Sequence, residues 1–308
     1  MRRAALAIVA AFFAVDSLTL AQQPPLRDPH TFRTGIDVTG ITVTVRDADG
    51  HLVSDLPQEA FEVFDDGERQ QVTQFTRDRV PVSLGVLLDI SDSMFGRRIA
   101  DARSAVDHFL FEQLDHDDEF FIMAFNHRAH VLTQWTQTPT IVRDALDSLK
   151  PTGGTAVYDA VLEGMPLIAK RNRERGALLI VSDGEDTAST AMLKDVRFAL
   201  RRSQAFVYAI AIDPPDDRRP INRRVNPTTL REITDESGGR TEVVQSSIDV
   251  AAASARIADE LNHQYVMGYT SRHGGDGQFH SIRVRVQGAN YKVRARTGYV
   301  AEAIKEKS

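Results

Sequence analysis

The segment VSLGVLLDISDSMFGRRIADA, Val82–Ala102, decides how the rest of the chain is read. Its first half, Val82 to Leu88, is a near-continuous apolar run, the composition of a central parallel strand covered on both faces. The run ends in Asp89, and Ser91 and Ser93 follow at every second position. In extended backbone alternate side chains point the same way, so three oxygen-bearing groups can face one point together. Ile99, Ala102, Val106, Phe109 and Leu110 then recur at helical spacing, which puts the oxygen triplet in a strand-to-helix turn.

Downstream, strands and helices alternate, the pattern of a parallel sheet flanked by helices. Phe120–Phe125 and His130–Trp135 read as a strand pair joined by a turn at Asn126–Ala129. A short helix, Thr140–Leu149, leads to the loop PTGGT at Pro151–Thr155, then a helix at Tyr158–Ala169 and a strand at Ala177–Val181. The spacing predicts a helix over Ala191–Arg202, a strand over Phe206–Ile212, and a surface loop over the proline- and arginine-rich Pro214–Pro227. The segment Thr228–Ser237, a strand at Thr241–Val244 and a helix at Ile248–Asn262 complete the unit. The fold class is α/β, a doubly wound, mostly parallel, Rossmann-like sheet over residues 81–263.

The flanks follow a period of two. Ile36, Val38, Ile41, Val43 and Val45 alternate with polar residues, and DADG at Asp47–Gly50 supplies hairpin-turn chemistry. Phe61, Val63 and Phe64 lead into DDG at Asp65–Gly67, and Val72 and Phe75 continue beyond it. Residues 35–80 thus read as a small antiparallel β module, with Asp47, Asp49, Asp65 and Asp66 as turn residues rather than calcium ligands. Residues 264–300 alternate as strands at Tyr265–Tyr269, His280–Val286 and Tyr291–Arg296, with a loose turn at Gly274–Gly277 and the arginines of RVRV and KVRAR on an outer face. Whether these tail strands join the amino-terminal ones is not decided by pattern.

Composition limits the function classes. With 308 residues and 42% hydrophobic content the chain can bury one large core and a small second one. A net charge of -6 without a long basic run gives no footprint for nucleic acid. No cysteine is present, which excludes disulfides, thiolate metal sites and a cysteine nucleophile. Arg2 and Arg3 precede the apolar run Ala4–Val15, and small residues Thr19 and Ala21 precede Gln22, so residues 1–21 read as a secretory signal peptide. The expected product is exported, periplasmic or secreted, with no stable membrane span after cleavage; an uncleaved amino-terminal anchor is the alternative. Residues 22–34 form a proline-bearing lead and 301–308 a short tail.

In an open α/β sheet ligands gather at the carboxyl ends of the strands, where several loops converge. Three such loops carry matching chemistry: DISDS, TGGT ending in Thr155, and SDGED with Asp183. Asp89, Ser91, Ser93, Thr155 and Asp183 all offer oxygen, a donor set that selects a hard divalent ion, Mg²⁺ first, with Mn²⁺ or Ca²⁺ as alternatives. Two carboxylates balance the ion, and neutral hydroxyls leave it electrophilic toward a further anionic ligand.

DISDS, TGGT and SDGED in this order resemble the metal-ion-dependent adhesion site (MIDAS) of von Willebrand factor type A (VWA) domains. The resemblance implies that Ser91 and Ser93 touch the metal directly, and that Thr155, Asp89 and Asp183 bind it directly or through water. It also implies a partner protein whose acidic side chain completes the coordination. The wider layout, FEVFDDGERQQVTQF, then VPVSLGVLLDISDSM, then HQYVMGYTSRHGGDGQFHSIRVRVQGANYKVRARTGY, is similar to a group of exported bacterial VWA-related proteins.

Other residues carry less. His127 and His130 lack a third ligand for zinc. His116 sits among Asp115, Asp117 and Asp118, which read as a solvated turn. Glu185 and Asp186 read as negative field or as a cap for the following helix. Neither Ser91 nor Ser93 has a histidine partner in the pattern, and TGGT lacks the lysine of a phosphate-binding loop. The expected function is a non-enzymatic, metal-dependent protein-binding module; a metal-assisted hydrolase or a structural scaffold are the alternatives.

Overall fold

The computed structural model describes residues 38–213, 227–273, 275–288 and 290–301. The expected signal peptide, the lead, the surface loop except Pro227 and nearly all of the tail lie outside them. In chain order the strands are β1 (Val38–Arg46), β2 (Phe61–Asp65), β3 (Glu68–Gln70), β4 (Val72–Thr76), β5 (Val82–Asp89), β6 (Glu119–Phe125) and β7 (Ala129–Thr136). They continue with β8 (Arg175–Ser182), β9 (Phe206–Ile212), β10 (Thr241–Val244), β11 (Tyr265–Thr270), β12 (Phe279–Val286), β13 (Lys292–Arg294) and β14 (Gly298–Val300). The helices are α1 (Arg97–His108), α2 (Arg143–Ser148), α3 (Val157–Ala169), α4 (Leu193–Arg202), α5 (Pro227–Ser237) and α6 (Ser247–Asn262).

Every residue of β5, β6, β8 and β9 is buried, as their apolar runs require of strands covered on both faces. They form the middle of a sheet ordered β10-β9-β8-β5-β6-β7, parallel except for the antiparallel edge strand β7. Val82, Leu84, Val86 and Leu88 pack on one face with α1 and α6, and Leu87 packs on the other with α3, α4 and α5. The chain runs outward from β5 through β6 to β7 and then returns to β8 on the opposite side of β5. Strand order therefore reverses beside β5, and the carboxyl ends of β5 and β8 become neighbours at the switch point. Gly85 lets the sheet close here: a Cβ would press into the Phe121 ring and sit 2.6 Å from the Leu178 side chain.

The amino- and carboxyl-terminal strands interleave. One four-stranded sheet is ordered β13-β1-β11-β4 and the other β14-β12-β2-β3. Their alternating inward residues, among them Ile41, Val43, Phe61, Val63, Tyr265 and Met267, share a second core. The turn Asp66-Gly67 has positive φ at both positions (48° and 85°), which gives β2 and β3 the tight hairpin that DDG implies. DADG does not open a comparable hairpin. It does turn the chain back briefly: Gly50 N donates to Asp47 O, Asp47 N to His51 O and Val53 N to Val45 O, around one antiparallel bridge, Arg46 with Leu52, and Asp47 Oδ1 accepts from His51 N.

The β module meets the central sheet through buried polar groups. Glu260 of α6, fully buried, accepts from Arg46 of β1, Arg294 of β13 and the Tyr208 hydroxyl of β9, and pairs with Arg240. Gln264 accepts from Arg175 and donates to Tyr208 Oη and Thr44 Oγ1. This corrects the outer-face reading of KVRAR: Arg294 reaches Glu260 and the Gly239 carbonyl, and Arg296 donates to the Gly40 carbonyl. Asp118 is corrected too. It is buried, accepting from Val82 N, Asp115 N and Arg79, because β5 starts directly against it. Among the described residues no helix is long and apolar enough to cross a membrane.

Candidate functional site

Three loops meet at the carboxyl ends of β5 and β8. The first leaves β5 at Asp89, and its backbone locks onto the second: Thr152 N donates to Ile90 O and Asp92 N to Gly153 O. The second locks onto the third, where Thr155 N donates to Thr187 Oγ1, and Thr187 N and Ala188 N donate to Thr155 O. The third returns to the first through Ser182 Oγ, which donates to Asp89 Oδ2 at 2.6 Å. Gly153 allows the close approach, with φ 80° and with His127 Nδ1 2.7 Å from where a Cβ would stand. His127 thus lies against the TGGT loop and belongs to no cluster of metal-binding side chains among the described residues.

The side chains follow from this closure. Asp89, Ser91, Thr155 and Asp183 are buried and Ser93 is half-buried. Asp89 Oδ1 accepts from Ser91 N, which sets the turn, and the Ser91 and Ser93 hydroxyls lie 2.9 Å apart; the short 3₁₀ turn Asp92–Met94 brings them together, where the spacing predicted extended backbone. Burial, and then the charge of Asp183 beside it, push the Asp89 carboxyl up to about 7. Arg98, buried on α1, lies 3.5 Å from Asp183 Oδ2 and donates to the Ser93 carbonyl. Two carboxylates and one guanidinium leave one negative charge in a buried site, and the surrounding donors are hydroxyls without nitrogen or sulfur. That donor set fits a hard divalent ion and not a soft one.

Asp186 has a different task from the one its position suggested. Its Oδ2 accepts from Tyr158 N and Ser189 Oγ, so it caps α3, the preceding helix, rather than α4.

Among the described residues, two groups of His and Asp side chains have ligand atoms within 4.8 Å of one another: Asp65, Asp66, His273 and His280, and Asp47, Asp49 and His51. The second is accounted for by the turn at Asp47. In the first, the histidines carried no signal in the sequence, because they stand more than 200 residues from the aspartates they meet.

Comparison with known proteins agrees with the sheet and the loops. Residues 84–185 match the family model of the von Willebrand factor type A domain. An uncharacterized protein of Synechocystis sp. is 32% identical over 111 residues, covering 35% of this chain; the chain spans only 26% of that relative's length. Among solved structures, a von Willebrand factor type A protein from Catenulispora acidiphila superposes with a TM-score of 0.52 at 12% identity, over 89% of this chain and 76% of its own. An aerotolerance-related membrane protein from Bacteroides fragilis gives 0.50 at 21% identity, over 59% of this chain and 98% of its own. The matched residues run from β5 through Glu185, the span that carries Asp89, Ser91, Ser93, Thr155 and Asp183, and the chain accordingly contains a von Willebrand factor type A domain.

Proposed function

We propose that the chain is an exported, non-enzymatic protein-binding module in which Asp89, Ser91, Ser93, Thr155 and Asp183 hold a divalent cation. Mg²⁺ is the first choice, ahead of Mn²⁺ and Ca²⁺, and the cation takes an Asp or Glu side chain from a partner protein. The observation that carries this reading is the mutual hydrogen bonding of three loops around the buried pair Asp89 and Asp183. A divalent ion there offsets the burial and the like-charge repulsion that raise Asp89 and, with both carboxylates ionised beside Arg98, leaves the site one positive charge that attracts an outside carboxylate. Phe95, in the same loop and 79% exposed, offers apolar contact beside the ion. Export is supported by the residues before Gln22.

Calorimetric titration with Mg²⁺ and Mn²⁺ tests the site: the parent chain binds one equivalent, and the variant carrying Ser91→Ala and Ser93→Ala loses it. Capture from a native envelope extract should then need the ion and fail with that variant. Absence of Mg²⁺ and Mn²⁺ binding in the parent sinks the reading, and phosphoester turnover that disappears in Asp89→Ala replaces it with a hydrolase.

A further inference from the structure

The second cluster lies at the end of the β module, where the β2–β3 hairpin, the segment after β11 and the start of β12 come together. Each of its carboxylates has one oxygen fixed and the other turned toward the imidazoles. Asp65, 1% exposed, accepts at Oδ2 from the Tyr269 and Tyr299 hydroxyls at 2.8 and 3.0 Å. Its Oδ1 is buried with no hydrogen-bond partner and lies 3.7 Å from His273 Nε2. Asp66 accepts at Oδ1 from Ser281 N and Oγ, and its Oδ2 stands 2.8 Å from His280 Nδ1 and 3.6 Å from His273 Nε2. The two imidazole rings stack with centroids 3.7 Å apart. On its far side, His280 Nε2 meets Asp276 Oδ1 at 3.0 Å.

We infer that Asp65 Oδ1, Asp66 Oδ2, His273 Nε2 and His280 Nδ1 form a second metal site, for Zn²⁺ or a similar borderline transition-metal ion. Metal–ligand bonds of about 2.0–2.2 Å in a tetrahedron put ligand atoms about 3.3–3.6 Å apart. Asp65 Oδ1 and Asp66 Oδ2 stand 3.7 and 3.6 Å from His273 Nε2, all four atoms lie within 4.8 Å of one another, and the His273 ring turns out of its stack on His280 for both nitrogens to aim at one ion. A buried carboxylate oxygen without a donor costs free energy, and a cation satisfies it. Imidazole nitrogen beside carboxylate oxygen favours zinc over the hard ions suited to the hydroxyl-rich loops. Binding releases any proton on His280 Nδ1 and leaves Nε2–H to donate to Asp276, the arrangement in which a carboxylate orients a metal-bound histidine. Tyr269 and Tyr299 hold Asp65 in the same way. Arg296, a nearby positive charge, is occupied by the Gly40 carbonyl and the face of Tyr299, so it does not fill the gap between the four atoms.

The test uses the chain without an affinity histidine tag, stripped with chelator and titrated with Zn²⁺ by calorimetry and with Co²⁺ by visible absorption. The expected result is one saturable equivalent and the intense d–d bands of a tetrahedral Co²⁺ centre. His273→Asn, at a half-buried position, and Asp276→Asn, at an exposed one, each weaken binding by at least about tenfold while circular dichroism stays unchanged. The Ser91→Ala, Ser93→Ala variant keeps zinc uptake intact, so failure at one site is distinguishable from failure at the other. No saturable zinc binding, or affinity unchanged in both His273→Asn and Asp276→Asn, overturns the proposal.

Discussion

The two oxygen-rich clusters stand on scaffolds of opposite kind. Asp89, Ser91 and Ser93 hang from a strand buried on both faces, whose position is set by apolar packing above and below. Asp65 and His280 sit in strands buried on alternate residues, where cross-strand register decides which side chains meet. In the first case the chemistry lies in loops beyond the sheet. In the second, Asp65 and His280 grow from the sheet itself, while Asp66 and His273 come from the turn and the segment beside it.

Breaking the joint between the scaffolds should have the largest effect. Glu260→Ala leaves Arg46 and Arg294 without their buried acceptor and is expected to cost about 3–5 kcal/mol in urea unfolding. Two glycine substitutions then separate the regions. Gly85→Ala wedges a methyl between Phe121 and Leu178 under the loops, and should cost about 1–3 kcal/mol by thermal unfolding. Gly67→Ala meets no neighbouring atom but must adopt φ 85° in the β2–β3 turn, for about 1–2 kcal/mol. If Gly67→Asn, a residue that tolerates positive φ, costs as much as Gly67→Ala, backbone strain is not the cause assigned to that position.

The smallest effect concerns pH, at the foot of the central sheet. Burial raises the Glu119 carboxyl, but hydrogen bonds from Ser83 and Asn172 outweigh it and hold the group below its ordinary 4.5. The unfolded chain therefore takes up this proton first, and the stability Glu119 contributes is present above about 4.5 and lost as pH falls through the folded value. Stability curves of Glu119→Gln against the parent should converge in acid; a constant offset down to the lowest pH refutes the assignment.

How much of this could be read in advance follows from range. DISDS, TGGT and SDGED are local strings, each at the end of a strand that apolar periodicity reveals, so the loops and the sheet were legible from spacing. The partners of Asp65 were not. Its neighbours His273 and His280 are set by the pairing of Asp65 with Ile282 and of His280 with Tyr299, and alternation fixes a strand's faces without naming its neighbour. The same gap explains Arg294, which alternation placed outward and α6 drew into the seam. Asp118 looked solvated in its run of acids because nothing local announces that Arg79 folds over it.

Val38 pairs with Thr270, and Val45 with Val293. A polypeptide emerging from its amino terminus therefore carries β1 for more than 200 residues before its neighbours exist, while β5 and β6 can join as soon as both are made. Long closures of this sort slow assembly, so the central sheet should mature early and β1 should wait as an open, sticky edge until the last strands arrive to cover it.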